Sequence, residues 1–418
     1  MDKNLHTVIL DAEKCKGCVT CMKRCPTEAI RVRNGKASVL YERCIGCGEC
    51  VRLCPYHAKL ASYDSFDTIF SYRYRIALPA PSLYGQFNNL TDIDYVLNGL
   101  LALGFDDVFE VGRGAELVSE ATKIILDRGK LKRPVISTAC PAVLELILAR
   151  FHNLKGNLVN LLAPVDVAAK LAREKAERKG IPPEDIGVFF ISPCPAKVSA
   201  LKTGLGAKRP LADGVLAVSE VYKKLVPVMN NLKKEDLKPL SKMGSMGLGW
   251  AASGGEAVSV FRDKYLAADG IENVMHVLNA LEDSTLSDID FIELSACTSG
   301  CVGGVLNIEN PFVARARLRA LRRKLPAKSN ALLDEGKPLE FYQWEQDPGV
   351  NYALKLDENR ISAMNKLIAI EEKLKKLPLV DCGLCGAPSC RAFSEDLANG
   401  ILDKDTPCPR KGGEGGGA

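Results

Sequence analysis

Sixteen cysteines, set against only four histidines, constrain this 418-residue chain more than any other feature. They fall into three sets. Eight lie between Cys15 and Cys54. Four are scattered: Cys140, Cys194, Cys297 and Cys301. Four come last: Cys382, Cys385, Cys390 and Cys408. Each set is a multiple of four, the ligand number of a cubane iron–sulfur cluster. The first residues carry no basic stretch followed by an apolar one. No apolar run reaches the roughly 18 residues that span a bilayer. A cytoplasmic protein with no membrane partner is expected. In a reducing compartment clustered thiols serve as metal ligands rather than disulfides.

The first set is an internal repeat. Cys15-x2-Cys18-x2-Cys21-x3-Cys25-Pro26 returns as Cys44-x2-Cys47-x2-Cys50-x3-Cys54-Pro55. This is the run of bacterial two-cluster ferredoxins, in which three close thiolates wrap one cube and the fourth ligates the other. It assigns Cys15, Cys18, Cys21 and Cys54 to one [4Fe-4S] cluster. Cys44, Cys47, Cys50 and Cys25 go to the second. The last set sits on a loop with Gly383, Gly386 and Pro388, after a helix. Its spacing alone leaves zinc open.

Between residues 71 and 348 strand and helix patterns alternate, which predicts an α/β domain. Apolar strands are expected at 75–78, 134–140, 186–194 and 289–297, with helices over 114–128 and 165–178. Three of these strands end at Cys140, Cys194 and Cys297, and Cys301 follows in the next turn. Ligands of open α/β sheets sit beyond the carboxyl ends of strands, so the four scattered cysteines can converge. Two charged stretches, 315–324 and 363–376, predict surface helices that pack one face on the domain. The apolar stripe of the second offers an alternative, packing on a partner or on another copy to make a homodimer. The four histidines have no pattern and read as ordinary satisfied or solvated side chains.

Composition agrees with a folded, soluble-type chain: 47% hydrophobic and 26% charged, with a formal charge of +5. That charge is too weak to argue for nucleic acid. Four oxidised cubanes with their thiolates would bring about −8 and turn it slightly negative. No Gly-rich nucleotide fingerprint follows a strand.

Thr138-Ala-Cys140-Pro, Ser192-Pro-Cys194-Pro-Ala-Lys197 and Glu293-Leu-Ser-Ala-Cys297-Thr-Ser-Gly-Cys301-Val-Gly-Gly resemble the three active-site motifs of [FeFe]-hydrogenases. Leu103-Gly-Phe-Asp-Asp-Val-Phe, Gly180-Ile-Pro-Pro-Glu-Asp-Ile and Ser253-Gly-Gly-Glu256 fall in the family's order, and the resemblance covers about residues 1–325. The last set resembles the small [4Fe-4S] domain of corrinoid iron–sulfur proteins and of Rnf-type subunits, which favours a fourth cubane over zinc. A cluster at that end also resembles the sensory, HydS-like members of the family. The resemblance implies a two-lobed domain of parallel sheets with flanking helices. In it, Cys140, Cys194 and Cys297 hold a cubane. Cys301 bridges that cubane to a diiron unit bearing CO, CN⁻ and azadithiolate. Lys197 would hold a cyanide, and Gly303 and Gly304 would let the backbone approach the cofactor.

The departures from the pattern concern protons. Ala139 stands where catalytic members carry the cysteine that first relays them. Ser192 and Ser295 replace methionines beside the diiron unit. Ala200 replaces an acid, and the segment Gly303-Gly304-Val305-Leu306-Asn307 is altered. The resemblance therefore implies an H2-binding enzyme of low turnover. It would depend on maturation proteins and report to a separate kinase, phosphatase or ferredoxin. Two alternatives stand beside it. One is a catalytic, ferredoxin-linked hydrogenase. The other is an electron-transfer or assembly protein of related fold without the diiron unit. Three domains are expected: an α+β two-cluster ferredoxin-like domain over 1–66, the α/β domain over 67–348, and a helical iron–sulfur domain over 349–418 with a flexible Gly-rich tail.

Overall fold

The computed structural model describes residues 6–260, 262–286, 288–327 and 336–410. The anticipated tail, 411–418, lies outside them.

The amino-terminal module has two similar halves. Strand β1 (Val8–Leu10) pairs antiparallel with β4 (Lys59–Ala61), and β2 (Ile30–Arg33) with β3 (Lys36–Val39). Each half carries a one-turn helix, Thr20–Lys23 or Glu49–Arg52. Its buried core is little more than Met22, Ile30, Val32, Ala37 and Ala58 beside the cysteines, while Ile45 packs into a core of the central domain. So small a core needs metal or disulfide support to stay folded.

The central domain holds two parallel sheets. The first runs β6 (Asp107–Val108), β5 (Tyr74–Pro79), β8 (Ile186–Ser192), β9 (Gly214–Ala217). The second runs β10 (Tyr265–Asp269), β11 (Phe291–Ser295), β7 (Val135–Ile136). All seven residues of β8 are buried, as a continuous apolar run in a parallel sheet with both faces covered should be. Helices Val111–Arg128 and Pro164–Arg178 pack against each other, and the second also lies on β5 and β8 of the first sheet. The expected strand 134–140 shortens to two residues. There Thr138 Oγ1 donates to the carbonyls of Val159 and Leu161 at 3.0 and 3.2 Å, and Asn157 donates to that of Pro134 at 2.9 Å. These side-chain bonds replace the ladder and turn the segment into a loop.

The two charged stretches differ. Helix Pro311–Arg322, capped by Asn310, buries Ala314, Leu318 and Leu321, as expected of a surface helix. Helix Arg360–Leu374 buries only Ile370, while Ile361, Met364, Leu367 and Ile368 stay exposed. Its apolar stripe therefore does not pack on the central domain.

The carboxy-terminal module gathers Leu377, Ala387, Phe393 and Leu397 around helix Cys390–Ala398. It docks on the ferredoxin-like module. Arg31 donates to both carboxylate oxygens of Asp396 at 2.7 and 3.0 Å, and both side chains are buried. Gly386 adopts φ +77°, and a Cβ there would stand 2.1 Å from the Val32 carbonyl oxygen. Val32 N–H donates to the Gly386 carbonyl at 3.0 Å across this contact. No helix of the described residues is long and apolar enough to cross a membrane.

Candidate functional site

The two parallel sheets aim their carboxyl ends at one another, and the four scattered cysteines meet there. Cys140 and Cys194 are the N-cap residues of helices Pro141–Arg150 and Pro195–Thr203. In each case proline occupies the first helical position, where its missing N–H is harmless and its fixed φ suits the helix. Both thiols thus sit at the amino ends of helices. Cys297 follows β11, and Cys301 opens the turn Cys301–Gly303.

Electrostatics show the convergence. Burial pushes the Cys194 thiol up to about 12; Lys197 opposes the rise, and the charges of Cys297 and Cys301 add to it. Burial pushes Cys297 to about 11, against Arg52, with Cys140 and Cys301 adding. Four partly buried thiols this close cannot ionise together without positive charge beside them. Lys197 Nζ lies 3.8 Å from Cys301 Sγ. Burial works to lower the lysine's pKa, but Cys301, Cys194, Cys140 and Cys297 outweigh it and hold the group above its ordinary value.

Beside these thiols lies a cavity of about 70 Å³. Its wall is mostly apolar and includes Ala80, Val111, Ala163, Phe190 and Trp250. The expected residues Ala139, Cys140, Lys197, Ser295 and Cys301 line it. Ser192 does not face it. The Ser192 hydroxyl accepts from Cys194 N–H at 3.3 Å and donates to the Cys194 carbonyl at 3.0 Å, which braces the ligand loop. Gly303 and Gly304 serve the protein's own close packing. A Cβ on Gly304 would sit 2.3 Å from the Pro193 carbonyl oxygen, and one on Gly303 would sit 2.1 Å from that of Thr298. The glycines let the Cys301 turn lie on the Cys194 and Cys297 loops. Ala200 lies on helix Pro195–Thr203, and its carbonyl accepts from Leu205 N–H.

Two further residues line the cavity that residue-type reasoning had passed over as mere parts of motifs: Glu256 and Glu293. Both are buried. Burial, and then the charge of Glu293, push the Glu256 carboxyl up to about 8. Burial also raises Glu293, against N–H groups of Ala257 and Gly254 that donate to it at 2.8 and 2.9 Å. Ser137 Oγ lies 2.6 and 2.8 Å from the Glu256 oxygens and accepts from Ala139 N–H at 3.2 Å. A buried carboxyl group therefore stands at the cavity wall, linked through Ser137 to the backbone N–H of residue 139. Nothing short of the fold could reveal it, because Ser137 and Glu256 are 119 residues apart.

Among the eight amino-terminal cysteines, charge couplings cross from one run to the other. Burial raises Cys21; Lys59 opposes, and Cys18, Cys15 and Cys54 add to the rise. Burial likewise raises Cys47, with Cys25, Cys50 and Cys44 adding. The fourth cysteine of each run thus faces the other run's triplet. N–H groups of Ala37, Ala29 and Ala58 point at Cys15, Cys25 and Cys54 Sγ at 3.4, 3.2 and 3.3 Å. The second cluster site abuts the central domain. A Cβ on Gly46 would meet Ala196, and Arg52 donates to the Gly303 carbonyl at 2.8 Å. In the last set, burial and then Cys382 and Cys408 raise Cys385. Cys390 begins the helix Cys390–Ala398. The neighbouring Gly383 packs against Met22 and Lys23, which follow Cys21. Among the described residues no His, Cys, Asp or Glu group is drawn together tightly enough for a single metal ion. Cubane thiolates stand wider apart, since the cube's iron and sulfide lie between them.

Comparison with known proteins agrees with this geometry. Residues 73–267 and 256–305 match the family described as iron only hydrogenase large subunit, C-terminal domain. Residues 7–55 match a 4Fe-4S dicluster domain, and residues 377–409 a family described as a proposed Fe–S cluster. A variant of the [FeFe]-hydrogenase HydA1 from Chlamydomonas reinhardtii aligns with TM-score 0.52 and 17% identity, over 66% of this chain and 95% of that one. Another variant of that enzyme, in apo form, aligns with TM-score 0.51 and 16% identity, over 69% and 97%. The hydrogenase match alone takes in more than half of the sequence, and the chain belongs to the iron-only hydrogenase large-subunit family.

Proposed function

We propose that this chain is a low-turnover, H2-responsive hydrogenase that passes electrons through four [4Fe-4S] clusters to a separate signalling or redox protein. The observation that carries the reading is Ala139 on the cavity wall. A methyl group there cannot move a proton, although the metal-binding cysteines and Lys197 are all in place. Loss of a positioned proton carrier costs about 10²–10⁴-fold in rate.

The donor set fits the groups the family carries. Cys140, Cys194, Cys297 and Cys301 would hold a cubane, with Cys301 shared with a diiron unit in the cavity. When bound, that unit supplies the interconversion of H2 with protons and electrons. Lys197 offers a fixed cation to its anionic ligands. The apolar wall keeps water out. Arg52 and the Gly46 turn link the site to the Cys25, Cys44, Cys47 and Cys50 cluster. From there the path continues to the Cys15, Cys18, Cys21 and Cys54 cluster and, across the Met22–Gly383 contact, to the last one. The fourth cluster then lies in line with the others rather than on a branch from the H2 site.

A second reading has its own observation. Glu256 and Glu293 form a buried acid pair at the cavity, and such a pair can carry protons without a cysteine at 139. The chain would then be an ordinary catalytic hydrogenase. Infrared spectroscopy on anaerobically matured protein, combined with an H2-uptake rate, tests both. CO and CN⁻ bands that shift under H2, with a slow rate, support the sensory reading. The same bands with a rate typical of production enzymes favour the second. Matured protein without such bands sinks both.

A further inference from the structure

The two halves of the ferredoxin-like module differ at one buried position. Five residues after the last cysteine of the first run stands Ile30; five after that of the second stands Lys59. The two sites are equivalent in backbone. The preceding Ala29 and Ala58 both direct their N–H at the Sγ of their run's last cysteine. Ile30 and Lys59 are each 2% exposed. Yet the Lys59 ammonium has no hydrogen-bond partner among the described residues. Burying an unpaired ammonium is strongly unfavourable, so such a group implies a negative partner. Its charge acts on cysteines of both sets: Cys21 and Cys54 of one, Cys44 and Cys50 of the other.

We propose that Lys59 is the shared counter-charge of the two ferredoxin-like clusters, raising both reduction potentials and drawing electrons away from the H2 site. Each oxidised cubane with its thiolates carries about −2 and gains one more negative charge on reduction. A fixed cation between two such centres stabilises the reduced form of each more than the oxidised form. The low local dielectric enlarges the effect. Ile30 gives no such help, so the asymmetry of the repeat makes one residue serve both clusters.

The inference rests on the cubane assignment of those eight cysteines and not on the diiron unit. The test is an EPR-monitored redox titration of the full chain, reconstituted with iron and sulfide only. Failure of the H2 reading would leave this measurement unaffected. Lys59→Ile copies the first half of the repeat, and Lys59→Met keeps the length of the stem. In each, both midpoint potentials should fall, by at least a tenfold change in the reduced-to-oxidised ratio, 59 mV for a one-electron couple. Lys59→Arg should restore them. Potentials unchanged in the neutral variants, or a fall at only one cluster, would overturn the proposal. Iron loss from both neutral variants but not from Lys59→Arg supports it. Iron loss from all three would assign Lys59 a packing role and also overturn it.

Discussion

At the scale of single residues, the cavity places its chemistry within reach of Ala139. Ala139→Cys adds a thiol on the cavity wall, beside Cys140 and close to Ser137 and Glu256. Turnover in matured protein should rise by about 10²-fold or more. A rate that stays level would place the limiting step elsewhere. Glu256 makes a separate prediction. Its carboxyl titrates at about 8 in the fold, against an ordinary 4.5, because burial and Glu293 disfavour its charge. Between those values the folded protein holds a proton that the unfolded chain has lost. Stability therefore falls as pH rises through this window and levels off above it. Asp166, raised by burial to about 7, slopes the same way, so the comparison must be between variants. Glu256→Gln should remove its share of the slope in urea unfolding curves taken from pH 5 to 9. A variant whose stability tracks the parent's across that range would show that Glu256 stays charged. The two amino-terminal cysteine runs were legible in the sequence because their ligand spacing is local, whereas Cys140, Cys194, Cys297 and Cys301 stood out by their strand ends and Lys197 by the resemblance of its motif. The acid pair was not, since its shifted pKa arises only when β11 and the short helix Gly255–Ser259 are packed together.

At the scale of elements, the contact between the two terminal modules is the feature the sequence could not announce. Arg31 and Asp396 are 365 residues apart and both buried. Removing one partner of such a pair costs about 3–5 kcal/mol, because the other charge is left buried alone. Asp396→Ala should thus release the carboxy-terminal module from the ferredoxin-like one. Hydrogen exchange in helix Cys390–Ala398 should quicken, while helix Pro164–Arg178 keeps its protection. Replacing both partners, Arg31→Met with Asp396→Leu, should restore most of the protection. If the single variant exchanges like the parent, backbone contacts such as Val32 to Gly386 hold the modules together unaided. Strand β8 and the helix start at Cys194 could be anticipated from five apolar side chains and a proline. The shortening of β7 could not, because it depends on Thr138 and Asn157 bonding to distant carbonyls. Nor could the exposed stripe of helix Arg360–Leu374, whose periodicity is that of a packed helix.

Across the whole molecule, the order in which the modules touch would set the order of the proposed electron path. Sequence places the carboxy-terminal cysteines after the central domain, yet they fold back onto the amino-terminal module, at Met22 and Val32. On the proposed function, the last cluster would be the far end of one line that begins at the cavity. A variant that removes one of its ligands, Cys385→Ser, separates the steps of that path. Under H2, the EPR signals of the ferredoxin-like clusters should still appear, since their ligands and Lys59 are untouched. Uptake measured with a small viologen dye should hold near the parent rate, because a dye can collect electrons from any exposed cluster. Uptake measured with a ferredoxin as acceptor should fall at least tenfold, because a protein must dock close to its donor. If the ferredoxin rate holds as well, electrons leave from the ferredoxin-like module directly. The carboxy-terminal module would then be a cover on that module rather than its outlet.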